Sequence, residues 1–176
     1  MPERTNKITF VLGGAKSGKS SFALDKAGKC QGRRVYIATA QALDAEMHGR
    51  IERHKQERGN DWDTIEEPLR LADIIRTVSC SHDIVLIDCL TLWVSNLLCS
   101  NVDAEKEFET FIDSLRDDNE SSLLVIVSNE VGQGIVPDNA LSRQFRDLAG
   151  LLNQKVALVA DEVYLVTAGI PLKIKP

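Results

Sequence analysis

Residues 8–20 read Ile8-Thr9-Phe10-Val11-Leu12-Gly13-Gly14-Ala15-Lys16-Ser17-Gly18-Lys19-Ser20, an apolar strand running directly into a complete GxxxxGK[ST] pattern. Each part of that pattern has a physical task. The glycines let the backbone curl until successive N–H groups face phosphate oxygens, and the helix that follows adds the positive end of its dipole. Lys19 then reaches the β- and γ-phosphates, and Ser20 holds Mg²⁺. A glycine-rich turn without a ligand is the bland alternative, and the order strand, turn, helix speaks against it. The expected fold is α/β, a single-domain P-loop NTPase.

Working outward, further apolar, β-rich runs occur at Val35–Ala38, Ile84–Asp88, Leu123–Ser128 and Val163–Ala168. Helical periodicity occupies about Lys19–Lys29, Asp44–Arg58, Leu69–Val78, Leu90–Leu98, Ala104–Asp117 and Leu141–Ala157. Continuous apolar strands alternating with helices imply a mostly parallel sheet with helices on both faces. The hydrophilic stretches Glu57–Thr64 and Asp117–Ser122 read as surface loops. No repeat or interdomain linker interrupts the 176 residues, so one domain is expected over 1–176, with 1–6 as a short extension.

Composition narrows the function. A net charge of -5 argues against nucleic acid as the main partner, which usually requires a basic face. No run of about 18 apolar residues offers a membrane span, and the start lacks the apolar core of a signal peptide. The expected compartment is the cytoplasm. The four cysteines Cys30, Cys80, Cys89 and Cys99 form no CxxC pair, and Cys89 and Cys99 in apolar stretches read as small hydrophobes.

Ile84–Asp88 ends in a carboxylate, and an aspartate at that edge of the sheet would meet the magnesium shell. A helix-capping aspartate is the alternative. Neither a DxxG after this strand nor a later NKxD is present, which counts against a GTPase switch and favours a transferase.

On the helix over Asp44–Arg58, His54 shares a face with Met47, Arg50, Ile51 and Arg58. Arginines four residues to either side suit a phosphorylated ligand and disfavour the imidazolium, keeping the imidazole nucleophilic. A solvated helix of mixed charge explains the spacing equally simply. His48 lies about 240° around the same helix, and His82 precedes the Ile84–Asp88 strand, at the end of the sheet away from the cradle. Asn129-Glu130-Val131-Gly132 follows a strand and reaches the carboxyl edge. There Glu130 would position or deprotonate an acceptor hydroxyl, or the segment is a turn capped by Asn129. Trp62 and Trp93 read as packing residues.

The residues quoted so far, with Tyr36-Ile37-Ala38-Thr39-Ala40, Trp62…Thr64…Glu66-Glu67-Pro68, Asn129-Glu130-Val131-Gly132…Gly134-Ile135-Val136-Pro137 and Phe145-Arg146-Asp147…Gly150…Asn153-Gln154, carry a resemblance. The chain resembles the bifunctional adenosylcobinamide kinase/adenosylcobinamide-phosphate guanylyltransferase family of cobalamin biosynthesis. The phosphate loop is generic, whereas RIxxH and NEVGxGIVP are specific.

The resemblance implies two reactions. ATP or GTP phosphorylates adenosylcobinamide; GTP then donates GMP through a GMP-histidine intermediate, leaving adenosylcobinamide-GDP and pyrophosphate. His54 matches the family's nucleophile. The GTP contacts carry over to Gly13, Gly14, Ala15, Lys16, Ser17, Gly18, Lys19 and Ser20, to Ala38, Thr39 and Ala40, to Lys55, Gln56, Glu57 and Arg58, and to Glu66 and Asp88. A RecA-like sheet and a homo-oligomer, a trimer, are also implied. Lys16 stands where relatives commonly have arginine, and residues 1–6 depart from the pattern. A small-molecule P-loop kinase without nucleotidyl transfer stays open as the other enzymatic reading, and a nucleotide-binding switch module as the non-enzymatic one.

Overall fold

The computed structural model describes residues 7–42, 45–59, 61–116 and 122–176, without the side chains of residues 46, 47, 50, 53, 54, 57 and 58. The first apolar run forms β1 (Lys7–Gly13), which passes through the phosphate loop into α1 (Lys19–Gly28). There follow β2 (Arg34–Ala38), α2 (Ala45–Arg58), β3 (Asp63–Glu66), α3 (Leu71–Ser79) and β4 (Ile84–Asp88). The second half comprises α4 (Leu90–Cys99), α5 (Ala104–Arg116), β5 (Leu123–Asn129), α6 (Ala140–Val159), β6 (Glu162–Thr167) and β7 (Ile170–Lys175).

These strands make one seven-stranded sheet in the order β3-β2-β4-β5-β1-β6-β7. Its first six members in space pair in parallel, and β7 alone runs antiparallel, against β6. Because β1 lies between β5 and β6, it is buried on both faces, which is why its sequence shows no alternation. Ile8, Phe10 and Leu12 join the core formed with α3, α4, α5 and α6, whereas Val11 packs on the opposite face with Ala23 and Ala27 of α1. Trp93 sits at the centre of the larger core between Phe108 and Phe111, its indole N–H donating to Leu69 O at 2.8 Å. Truncating it to alanine should cost about 3–5 kcal/mol.

Two strands went unrecognised in the sequence. Asp63 and Thr64, expected in a loop, belong to β3, which pairs with the edge of β2. Its burial pattern shows one half-buried residue, Ile65, so backbone pairing makes the strand without an apolar run to announce it. The last apolar run ends at Thr167 rather than Ala168. Ala168 and Gly169, with φ of 52° and 79°, form a tight two-residue turn into β7. Cys99 also departs from expectation: it is exposed, closing α4 where the helix leaves the sheet, while Cys89 is buried. No described helix is long and apolar enough to cross a membrane.

Candidate active site at the carboxyl edge of the sheet

With β1 through β6 parallel, Gly13, Ala38, Glu66, Asp88 and Asn129 all end strands at the same edge. The phosphate loop there is close-packed. A Cβ at Gly13 would stand 2.5 Å from Val166 O, and Gly18, at φ 93°, has Gly169 Cα 3.2 Å from where its Cβ would be. The Gly169 N–H donates to Ser17 O at 2.8 Å, so the β6–β7 turn braces the loop from behind. Lys19 is mostly buried and donates from Nζ to Gly14 O at 3.1 Å, which folds the ammonium back over the loop.

Asp88 follows the last apolar residue of β4. The hydroxyl of Tyr36, one strand away, donates to Asp88 Oδ2 at 2.9 Å. The Tyr36 ring is held edge-on by Trp62, with centroids 6.4 Å apart, so Trp62 packs here as expected. Thr39 is fully buried. Its hydroxyl donates to Cys89 O at 2.7 Å and accepts from Cys89 N–H at 2.9 Å, while Asn96 Nδ2 donates to Thr39 O. Burial, and then the Asp88 charge, pushes the Cys89 thiol up to about 11, so the thiol stays protonated and unreactive.

Between the loop and α2 lies a cavity of about 210 Å³. Ala15, Lys16, Lys19 and Ser20 supply one wall, Ala38, Ala40 and Asp88 the floor, and Ile51 and Lys55 of α2 the far side. Gly13, Gly14, Ser17 and Gly18 build the loop without lining this cavity, and Thr39 supports the floor from beneath. Glu66 lies at the rim, where its Oε1 meets Lys55 Nζ at 3.1 Å; this contact raises the Lys55 pKa above its ordinary value. Gln56 is exposed. The helix that carries His54 forms, but the side chains of His54, Glu57 and Arg58, with Met47 and Arg50, lie outside the described residues. His48 is exposed, and His82 pairs with Asp63 at 3.0 Å at the amino end of the sheet, away from the cradle.

The cavity also takes in Tyr36, Cys89, Leu92 and Asn129, none of which had been singled out as site residues. Tyr36 becomes a site residue through the pairing of β2 with β4, which puts every second residue of β2 on one face with Asp88. Leu92 owes its place to how α4 leaves Cys89. Glu130 is absent from the lining. Its Oε1 accepts the Gly132 N–H at 2.7 Å, so Glu130 rather than Asn129 caps the turn.

A fold with these strand positions is shared with known ATPases. A prototypical ATPase of the type III secretion system of pathogenic bacteria superposes with a TM-score of 0.57 at 13% identity, over 92% of this chain and 51% of that one. The ATPase EscN of enteropathogenic E. coli gives 0.59 at 9% identity, over 93% and 43%. Such identities speak to fold alone. Sequence relatives are far nearer. The bifunctional adenosylcobalamin biosynthesis protein CobU of Salmonella typhimurium is 42% identical, and that of Escherichia coli 39%, each over 96% of this chain and 99% of the relative. CobP of Pseudomonas aeruginosa is 41% identical over 94% and 96%. The model of the family described as cobinamide kinase / cobinamide phosphate guanyltransferase matches residues 9–174. The chain belongs to that family.

Proposed function

We propose that this chain phosphorylates adenosylcobinamide with ATP or GTP, then transfers GMP from GTP to the resulting phosphate through a GMP-histidine intermediate on His54. The products of the second step are adenosylcobinamide-GDP and pyrophosphate. The observation that carries this reading is the single cavity in which the phosphate loop, Asp88 and helix α2 meet. One nucleotide site serves both reactions, so the triphosphate tail lies on the loop while α2 approaches from the other side. Ile51 and Lys55 line the cavity, and position 54 lies on the same helical turn, between them in sequence.

Lys19, released from Gly14 O, offsets charge on the transferred or departing phosphates. Loop N–H groups at the start of α1 hold the phosphate oxygens. The hydroxyl of Ser20 and the carboxylate of Asp88 both line the cavity, a sparse set of oxygen donors that suits Mg²⁺ shared with phosphates. These two residues would hold the ion, which would supply charge neutralisation for the phosphates. Attack by a neutral imidazole on the α-phosphorus forms a P–N bond and breaks the bond to the β-bridging oxygen, so pyrophosphate leaves. The phosphoramidate then yields GMP to the acceptor phosphate and restores the imidazole.

The cavity is small beside the roughly 300–1,000 Å³ of pockets for drug-sized ligands. The corrinoid therefore lies largely outside it, and a homo-oligomer, a trimer, would supply further surface. Exposed Ile170, Leu172 and Ile174 on β7 fit such an assembly, and light scattering should give a multiple of 19.5 kDa. Free cysteines fit a cytoplasmic location.

Intact-protein mass after incubation with Mg-GTP tests the reading. Wild type should gain one GMP, His54→Asn none, and His48→Asn and His82→Asn should match wild type. Phosphorylation of adenosylcobinamide should persist in His54→Asn. A kinase without nucleotidyl transfer would form no adduct in any variant, and an adduct on His54→Asn would overturn the residue assignment.

A further inference from the structure

Asn129 ends β5 opposite Gly13 of the phosphate loop. It stands two residues beyond Val127, the register partner of Asp88, and so about 7 Å further along the strand direction. Its main chain is held on both sides. The N–H donates to Thr91 Oγ1 at 2.6 Å, and the carbonyl accepts from Asn153 Nδ2 at 3.2 Å. The residue lines the cavity with Lys19, Ser20 and Asp88. Its side-chain Oδ1 is shielded from solvent and has no hydrogen-bond partner among the described residues.

A buried amide oxygen without a donor is uncommon, and at the wall of a ligand cavity it calls for a donor that arrives with the ligand. Phosphate oxygens cannot fill that role, because they only accept. Resting on the phosphorylation reading above, we propose that the Asn129 amide turns about χ2, a broad torsion, so that Oδ1 reaches the cavity, accepts the hydrogen bond of the acceptor hydroxyl and orients it for attack. The hydroxyl oxygen forms a bond to the γ-phosphorus, and the bond to the β–γ bridging oxygen breaks to release the nucleoside diphosphate. An amide cannot take the proton, which passes to an oxygen of the transferred phosphoryl group. The acceptor in GMP transfer is a phosphate monoester, largely without an O–H at neutral pH. Asn129 therefore serves the first reaction and not the second.

The test assays both reactions on full-length wild type, Asn129→Ala, Asn129→Leu and Asn129→Asp, with thermal melting of each. Asn129→Leu keeps the volume and loses the acceptor, so it carries the result if the smaller side chain unsettles the fold. Phosphorylation kcat should fall about 10- to 100-fold in Asn129→Ala and Asn129→Leu, the range expected when an oriented hydrogen bond to a reacting group is lost. The nucleotide KM and the transfer of GMP to preformed adenosylcobinamide phosphate should each stay within about threefold, on the ground that neither engages Oδ1. Asn129→Asp, which keeps an acceptor oxygen, should retain more phosphorylation than Asn129→Ala. Equal loss in both reactions would place Asn129 in shared phosphate or metal binding and overturn the proposal. Unchanged phosphorylation, or Asn129→Asp falling below Asn129→Ala, would overturn it too. A wild type that forms the GMP adduct yet phosphorylates no adenosylcobinamide would refute the kinase reading itself, and with it the hydroxyl assigned to Asn129.

Discussion

The two sides of the nucleotide cavity are built differently. On the loop side, Lys19, Asp88 and Thr39 are backed by the core. Lys19 follows a strand whose interior residues are fully buried, Asp88 is fastened by Tyr36, and Thr39 and Cys89 are tied to each other by two hydrogen bonds. On the α2 side, no described residue of the helix joins either core cluster. Its described links to the cavity region are Ile51 and the Lys55–Glu66 pair, whose partners are 39% and 61% exposed. Surface ion pairs of this kind contribute about 0–1 kcal/mol. One wall is thus held by folding itself. The contacts described for the other are exposed ones, outside either core cluster.

The hardest blow to this contrast comes from Lys19→Ala. Removing an ammonium aimed at developing charge should reduce both reactions by about 10²- to 10³-fold, measured as kcat/KM with each acceptor. Melting temperature should change little, because the lysine packs at the rim of the core. Guanylyl transfer that survives Lys19→Ala would mean that the two reactions use separate nucleotide sites, and the two-walled cavity would lose its meaning.

Tyr36→Phe probes how far the core-backed wall controls the carboxylate. It removes one hydrogen bond to a charged oxygen, worth about 1.5–3 kcal/mol. The loss should appear as a rise of about 10- to 150-fold in the magnesium concentration needed for half-maximal activity. The GMP adduct should still form at saturating magnesium. An unchanged magnesium titration would detach Asp88 orientation from Tyr36.

Glu162→Gln serves as the control at the far end of the sheet. Glu162 is bonded by Lys26 at 2.8 Å and Lys173 at 2.9 Å, with Lys7 at 3.3 Å, and the Lys26 bond leads in holding its carboxyl down at about 2. A folded pKa below the unfolded value of about 4.3 gives stability that is present above pH 4.3 and is lost as pH falls toward 2. With Lys7 and Lys173 both substantially exposed, screening limits the effect to about 1–2 kcal/mol. Denaturant melts at pH 7 should show Glu162→Gln less stable by that amount, and the difference should close near pH 2. Both activities should remain at the wild-type level, since the cluster touches no part of the cavity.

The sequence by itself determined the elements that bury both faces or bind phosphate. Ile8–Leu12, Ile84–Asp88 and Leu123–Ser128 are continuous apolar runs because parallel central strands meet helices on each side. The loop from Gly13 to Ser20 announces its chemistry because the required backbone path tolerates few residue types. Tertiary structure alone decided the edges and the division of labour at the site. β3 is held by pairing to β2 rather than by its own apolar residues, and the β6–β7 turn reaches back to the phosphate loop through Gly169. Neighbours in the sequence could not show which of Asn129 and Glu130 faces the cavity. Successive residues leaving a strand point in different directions, and the choice rests on Thr91 and Asn153, which lie 38 and 24 residues away along the chain.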